Sequence, residues 1–147
     1  MSGSRRTRDP ATVRVGDALP AVVRSPDRLA VLLWCIGYWA VHRIHNDIEW
    51  ARREGYADLV VGGALINSYV VKGLSDWSGD PTCLRRFRVR QHATAVAGDT
   101  LTARMSVLAI GPDVARGVRR VDCGFEVTKQ DGTVISSGEA GLDLAVD

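Results

Sequence analysis

The chain has 147 residues, 46% hydrophobic and 24% charged, a single-domain length with enough apolar material for one core. A net charge of +2 lacks the strong basic bias of a protein held on nucleic acid by charge. The longest apolar run, from Leu29 to Ala40, falls short of the roughly 20 residues that a membrane-spanning helix needs. Cys35, Cys83 and Cys123 are odd in number and show no CxxC spacing, which argues against a disulfide framework and for a reducing, cytoplasmic setting.

Residues 1 to 13 begin with the polar run Ser2-Gly3-Ser4-Arg5-Arg6-Thr7-Arg8 and read as a disordered basic tail. Residues 14 to 147 read as one domain. Asp17 to Val23 is a short lead-in. Ser25-Pro26-Asp27 is a helix start, with Ser25 as cap and Pro26 at the first helical position. This helix is expected to reach about Tyr38, with Leu29, Leu32, Leu33 and Ile36 on its inward stripe. Asn46 and Asp47 cap a second, short helix that Gly55 stops. Leu59-Val60-Val61 then leads through Gly62-Gly63 into a third helix, Ala64 to Asp76, apolar nearly all round and so expected to be buried. Ser78-Gly79-Asp80-Pro81 ends it.

The remainder alternates with period two. Phe87 and Val89 alternate with Arg86, Arg88 and Arg90. Leu101 to Ala109 and Val121 to Val127 follow the same rule. Gly98-Asp99, Gly111-Pro112-Asp113 and Asp131-Gly132 are the expected turns, the last a hairpin signal. Four long antiparallel strands and one buried helix make an α+β arrangement.

The candidate chemistry lies in Ala40-Val41-His42-Arg43-Ile44-His45-Asn46-Asp47, which places two imidazoles and a carboxylate within six residues. Imidazole, with an ordinary pKa of about 6.5, suits proton transfer near neutral pH. Gly62-Gly63 at a helix start offers unpaired N–H groups and the positive end of the helix to a developing oxyanion. His42 orients a water across from His45 or is structural. Asp47 and Asn46 orient an imidazole or cap the following helix. The His-x-x-His pair has no third ligand at a sensible spacing, so no metal is expected. Arg86 and Arg88 either grip phosphates or form the solvated face of a strand. Tyr38, Trp39 and Trp50 pack around a substrate pocket or the core.

The His-Arg-Ile-His-Asn-Asp stretch, then Gly55-Tyr56, Leu59-Val60-Val61-Gly62-Gly63-Ala64-Leu65 and Ala97-Gly98-Asp99-Thr100-Leu101, resemble the MaoC-like (R)-specific hydratase/dehydratase family across roughly residues 14 to 145. Within it, the likeness is nearest to the fungal and mitochondrial 3-hydroxyacyl-thioester dehydratases and the mesaconyl-CoA hydratases. The resemblance implies a hotdog fold, a curved sheet around a central helix. It also implies addition of water to trans-2-enoyl thioesters, or the reverse, without a cofactor. The motif histidine matches His45. The glycine whose N–H meets the thioester carbonyl matches Gly63.

Two positions depart from the family. Ala40 stands where the family has Asp or Asn, and Gly62 stands where it usually has His, which implies that a large side chain is tolerated at 62. The implied partners are an acyl-CoA or acyl-carrier-protein thioester and a second hotdog subunit, identical or different. Ala40 keeps two other readings open: an inactive subunit of a heteromeric dehydratase, or a cyclase or thioesterase using the same pocket.

Overall fold

The computed structural model describes residues 8–114 and 117–145. In chain order the elements are β1 (Val22–Arg24), α1 (Arg28–Tyr38), a 3-10 turn (Arg43–His45), α2 (Ile48–Arg53), α3 (Gly63–Ser78), β2 (Leu84–Gln91), β3 (Leu101–Val114), β4 (Val118–Lys129) and β5 (Val134–Ala145). The strands form one sheet of order β1-β3-β4-β5-β2, and every neighbouring pair is antiparallel. The four strands expected from alternation are β2 to β5. The fifth, β1, comes from the end of the segment read as a lead-in.

Helix α3 contacts β3 and both edge strands, β1 and β2, so the sheet curls around it. Ile66, Val70, Leu74 and Trp77 are buried on the helix, and Met105, Val107, Val121, Cys123, Val127, Ala140 and Leu142 are buried on the strands. Helix and sheet approach closely at Gly73, where a Cβ would meet Met105 Cε and Val22 Cγ2 at 2.7 Å. The helix starts one residue before the expected Ala64 and ends two beyond Asp76, where Gly79 turns left-handed at φ 75°. All three cysteines are free and buried. Burial pushes the Cys123 thiol up to about 12, which leaves it inert as a nucleophile.

Four expectations are corrected. The turn expected at Gly111-Pro112-Asp113 lies inside β3, where the register against β4 shifts between Ile110 and Asp113; a bulge accommodates the proline. Asp27, not Ser25, caps α1 by accepting from Ala30 N–H at 2.8 Å, while Ser25 Oγ bonds Thr100 Oγ1 at 2.9 Å. The expected boundary between tail and domain falls too late. Residues 1–7 lie outside the described residues, but Arg8 N–H donates to Ser78 O at 2.7 Å, and Pro10 and Val13 are buried.

The largest correction concerns α1. Of the expected stripe Leu29, Leu33 and Ile36 are 62, 60 and 72% exposed and only Leu32 packs against the core, while Val31 and Cys35 are buried and Tyr38 is exposed. Val31, Trp34, Cys35 and Tyr38 carry the same helical spacing as the expected stripe. With apolar residues on both sides, the sequence pattern does not say which one faces inward.

Ion pairs tie the outer side together. Asp143 accepts from Arg85 Nε and Arg120 Nε, each at 2.9 Å, and Asp58 accepts from Arg28. The Arg120 guanidinium above all holds the Asp143 carboxyl below its ordinary range; burial opposes it, and Arg85 adds a smaller lowering effect. Arg28 does the same for Asp58. A carboxylate whose folded pKa is depressed adds stability above its unfolded pKa of about 4 and loses it as pH falls through the folded value. The urea midpoint should therefore fall as pH is lowered from 5 to 2.5 (roughly the range over which such groups titrate). Asp143→Asn should flatten that fall, as followed by fluorescence at fixed ionic strength.

Candidate active site

Three short segments converge ahead of α3. Val61 N–H donates to Ala95 O at 2.9 Å and Ala97 N–H to Leu59 O at 2.8 Å, so residues 59–61 run as a buried strand-like arm beside 95–97. Val60 N–H reaches across to Ile44 O at 2.9 Å, which fastens the 3-10 turn to this arm. The arm delivers Gly62 as the N-cap and Gly63 as the first residue of α3, with no side-chain cap. Among the described residues, no acceptor is found for the Gly63 N–H. A first-turn N–H is left unpaired by helix geometry and carries the positive end of the dipole.

His45 closes the 3-10 turn. Its Nδ1 lies 2.7 Å from Val60 O. A carbonyl only accepts, so Nδ1 carries the proton, and the neutral ring keeps its lone pair on Nε2. The ring also meets Trp34 edge-on, with centroids 5.3 Å apart. His42 caps the same turn, its Nδ1 accepting from Ile44 N–H at 3.4 Å. Its ring centroid is 6.2 Å from that of His45, so the two imidazoles are neighbours.

The other expected residues divide. Asn46 donates from Nδ2 to His42 O at 3.4 Å and so braces the turn. Asp47 caps α2 through Trp50 N–H at 3.0 Å and pairs with Arg43, which holds its carboxyl below the ordinary range. Its role here is that of a cap. Trp39 ends α1 at φ 58° and is 82% exposed, and Tyr38 is 64% exposed, so the expected packing of these two rings around a pocket or the core is corrected. Trp39 is the one non-glycine at positive φ among the described residues, a conformation that costs an L-residue roughly 1–2 kcal/mol. Ala40, half-buried, packs against the core, its N–H on Cys35 O at 2.9 Å.

Arg86 and Arg88 are not brought to the site. Phe87 packs against the core and stacks on Phe125, so its neighbours on β2 point to the opposite face of the sheet. There Arg86 pairs with Asp122 at 3.0 Å, and Arg88 lies across from Glu139 in the register. This is the solvated-face alternative.

Two neighbours of the glycine pair were missed. A Cβ at Gly63 would meet Gln91 Nε2 at 2.9 Å, and a Cβ at Gly62 would meet Trp34 Cη2 at 1.9 Å. Gln91 was reachable from the alternation of β2, which puts it on the same face as Phe87 and Val89. Trp34 was hidden by the choice of the other α1 stripe. Trp34 also stacks on Tyr38, with ring centroids 5.4 Å apart. The tolerance for a large side chain at position 62, implied by the family resemblance, is thus overturned: an indole already fills that space.

No family model and no curated protein matches the chain. Solved structures do. R-hydratase PhaJ1 from Pseudomonas aeruginosa superposes with a TM-score of 0.83 at 18% identity, over 96% of this chain and 88% of that one. The MaoC-like dehydratase from Rhodospirillum rubrum gives 0.79 at 19%, over 95% and 98%. The ChsH1–ChsH2 complex from Mycobacterium tuberculosis gives 0.76 at 19%, over 91% and 98%. The fold is therefore the α+β hotdog of the MaoC-like dehydratases and (R)-hydratases.

The two glycines should respond differently to an added methyl. The amide of Gln91 is the end of a flexible side chain, whereas the Trp34 ring is packed between Tyr38 and His45. Gly62→Ala should lower stability by about 1–3 kcal/mol, the usual scale of overpacking, and Gly63→Ala by clearly less. Urea unfolding of the two variants side by side checks the order.

Proposed function

We propose that this chain is an acyl-thioester hydratase/dehydratase, interconverting trans-2-enoyl and 3-hydroxyacyl thioesters with His45 as general acid/base and Gly63 N–H as oxyanion donor. The carrying observation is the 2.7 Å bond from His45 Nδ1 to Val60 O. It fixes the tautomer that leaves Nε2 open, and it anchors the base three residues ahead of the helix start. Base and oxyanion donor are thereby held by one short, buried piece of backbone, the preorganisation that such chemistry needs.

In the hydration direction, Nε2 takes a proton from water as the oxygen forms a bond to Cβ of the enoyl group. The electron pair of the double bond moves toward the thioester carbonyl, and the resulting enolate oxygen is held by Gly63 N–H. The imidazolium then returns its proton to Cα. One water is added across the double bond and the ring ends neutral, so His45 suffices for both proton transfers. His42, with its ring beside that of His45, is the second group able to orient the water. The substrate is a CoA or carrier-protein thioester, and the setting is cytoplasmic. One side of β2 has no partner strand among the described residues, which supports assembly with a second hotdog subunit.

Ala40 favours one rival, a subunit whose activity depends on a different hotdog partner, since no carboxylate stands at that position. A thioesterase has less support: the α3 carboxylate, Asp76, pairs with Lys72 at the far end of the helix.

Turnover by the isolated chain separates these readings. Purified protein should hydrate a short trans-2-enoyl-CoA, followed by loss of enoyl absorbance. His45→Ala should lower kcat by about 10²–10⁴-fold with the fold intact; near-normal turnover in that variant would remove His45 from the mechanism. Ala40→Asp tests the missing carboxylate. If that group merely assists the water, the variant should gain turnover on the same substrate. A folded Ala40→Asp protein with no gain on any enoyl thioester would argue that the site has been repurposed or abandoned.

A further inference from the structure

Trp34 stands between the two halves of the site. Its ring edge occupies the space that a side chain on Gly62 would need, with Cη2, Cζ3 and Cζ2 at 1.9, 2.3 and 2.6 Å from that Cβ position. Its other contacts are the edge of the His45 ring and the face of Tyr38. It touches both the proposed base and the residue preceding the proposed oxyanion donor.

The surroundings give the site a direction. On the Trp34 side, Gly62 is buried and the indole packs against the core beside buried Val31 and Cys35. On the other side, Gly63 faces the exposed amide of Gln91. A thioester on Gly63 N–H has one apolar arm, the acyl chain, and one long polar arm, the pantetheine. The polar arm suits the side marked by Gln91, which leaves the acyl chain directed at the apolar, aromatic side formed by Trp34.

We propose that Trp34 is the specificity-determining residue of this site and restricts it to thioesters of short, crotonyl-sized acyl groups. The inference rests on the hydratase reading for the placement of the thioester. Carbons beyond Cβ meet the indole, which is stacked on Tyr38 and meets His45 in a T-shaped contact, so it yields only by giving up those contacts. The absence of a side chain at position 62 is the counterpart of the same packing: the indole and a residue at 62 compete for one volume.

The test separates binding from turnover. Saturated butyryl-CoA and octanoyl-CoA are titrated calorimetrically into wild type, Trp34→Phe and Trp34→Ala. Wild type should favour butyryl-CoA. Trp34→Ala should shift the ratio toward octanoyl-CoA by about tenfold or more, the scale on which a pocket discriminates chain length, with Trp34→Phe between. An unchanged ratio in folded variants overturns the proposal, as does failure of wild type to bind either thioester.

A second measurement needs no ligand. Gly62→His should lower the melting temperature in the wild-type background and be neutral or stabilising in Trp34→Ala, where the imidazole takes the vacated volume. An equal loss in both backgrounds overturns the shared volume and the proposal with it. A length-selective binder that hydrates no enoyl-CoA would refute the hydratase reading alone. An active hydratase with an unchanged length ratio would refute the role of Trp34 alone.

Discussion

The hydrogen bond from His45 to the carbonyl of Val60 holds the candidate site in one piece. Alone, a histidine in an eight-residue polar loop has no fixed direction. Bound to Val60, and with Ile44 accepting from the Val60 N–H, it becomes an extension of the buried arm that begins α3. That arm is held in turn by Ala95 and Ala97. From base to helix start the one side-chain link is the His45 ring on Val60 O; every other link is backbone, so beyond the His45 rotamer the geometry depends little on side chains. A peptide carbonyl also keeps its acceptor character at every pH, so the imidazole orientation does not depend on a second titrating group.

The fold was legible where a pattern had one physical solution. Alternation over Leu101 to Ala109 and Val121 to Val127 admits only strands with one buried face, and the Gly79 and Gly132 turns need conformations that glycine adopts without strain. Helix α3 was legible because it is apolar nearly all round and so must be central. Helix α1 was not, since two stripes of equal spacing compete. The choice between them is made by long-range packing on residues far along the chain. The tail boundary was misjudged for a related reason: Arg8 to Val13 are held by Ser78 and by Arg119, whose Nη1 donates to Pro10 O at 2.9 Å, and no local pattern announces such contacts.

The site was legible as a list and not as a shape. His45 and Gly63 are candidates from motif spacing, and Val60, which bonds the His45 ring, lies three residues before Gly63. The arginines of β2 illustrate the opposite case. Strand periodicity alone separates Arg86 and Arg88 from Phe87, so a grip on phosphates beside the inward-facing residues was already in tension with the alternation that defined the strand. Gly62 shows the limit of reasoning from motifs. A residue can be small because its own backbone requires it, or because a distant side chain has taken its volume, and sequence order does not distinguish the two.

The outward stripe of α1 bears on how stability itself is measured. Leu29, Leu33 and Ile36 form a contiguous surface only while α1 is a helix, so anything that covers them binds the folded chain and not the unfolded one. By mass action the melting temperature then rises with the concentration of the covering species, a second copy of the chain included. Stabilities of variants are comparable only at one total protein concentration, and a dilution series of the wild-type chain reads out cover on this face together with any pairing along the β2 edge.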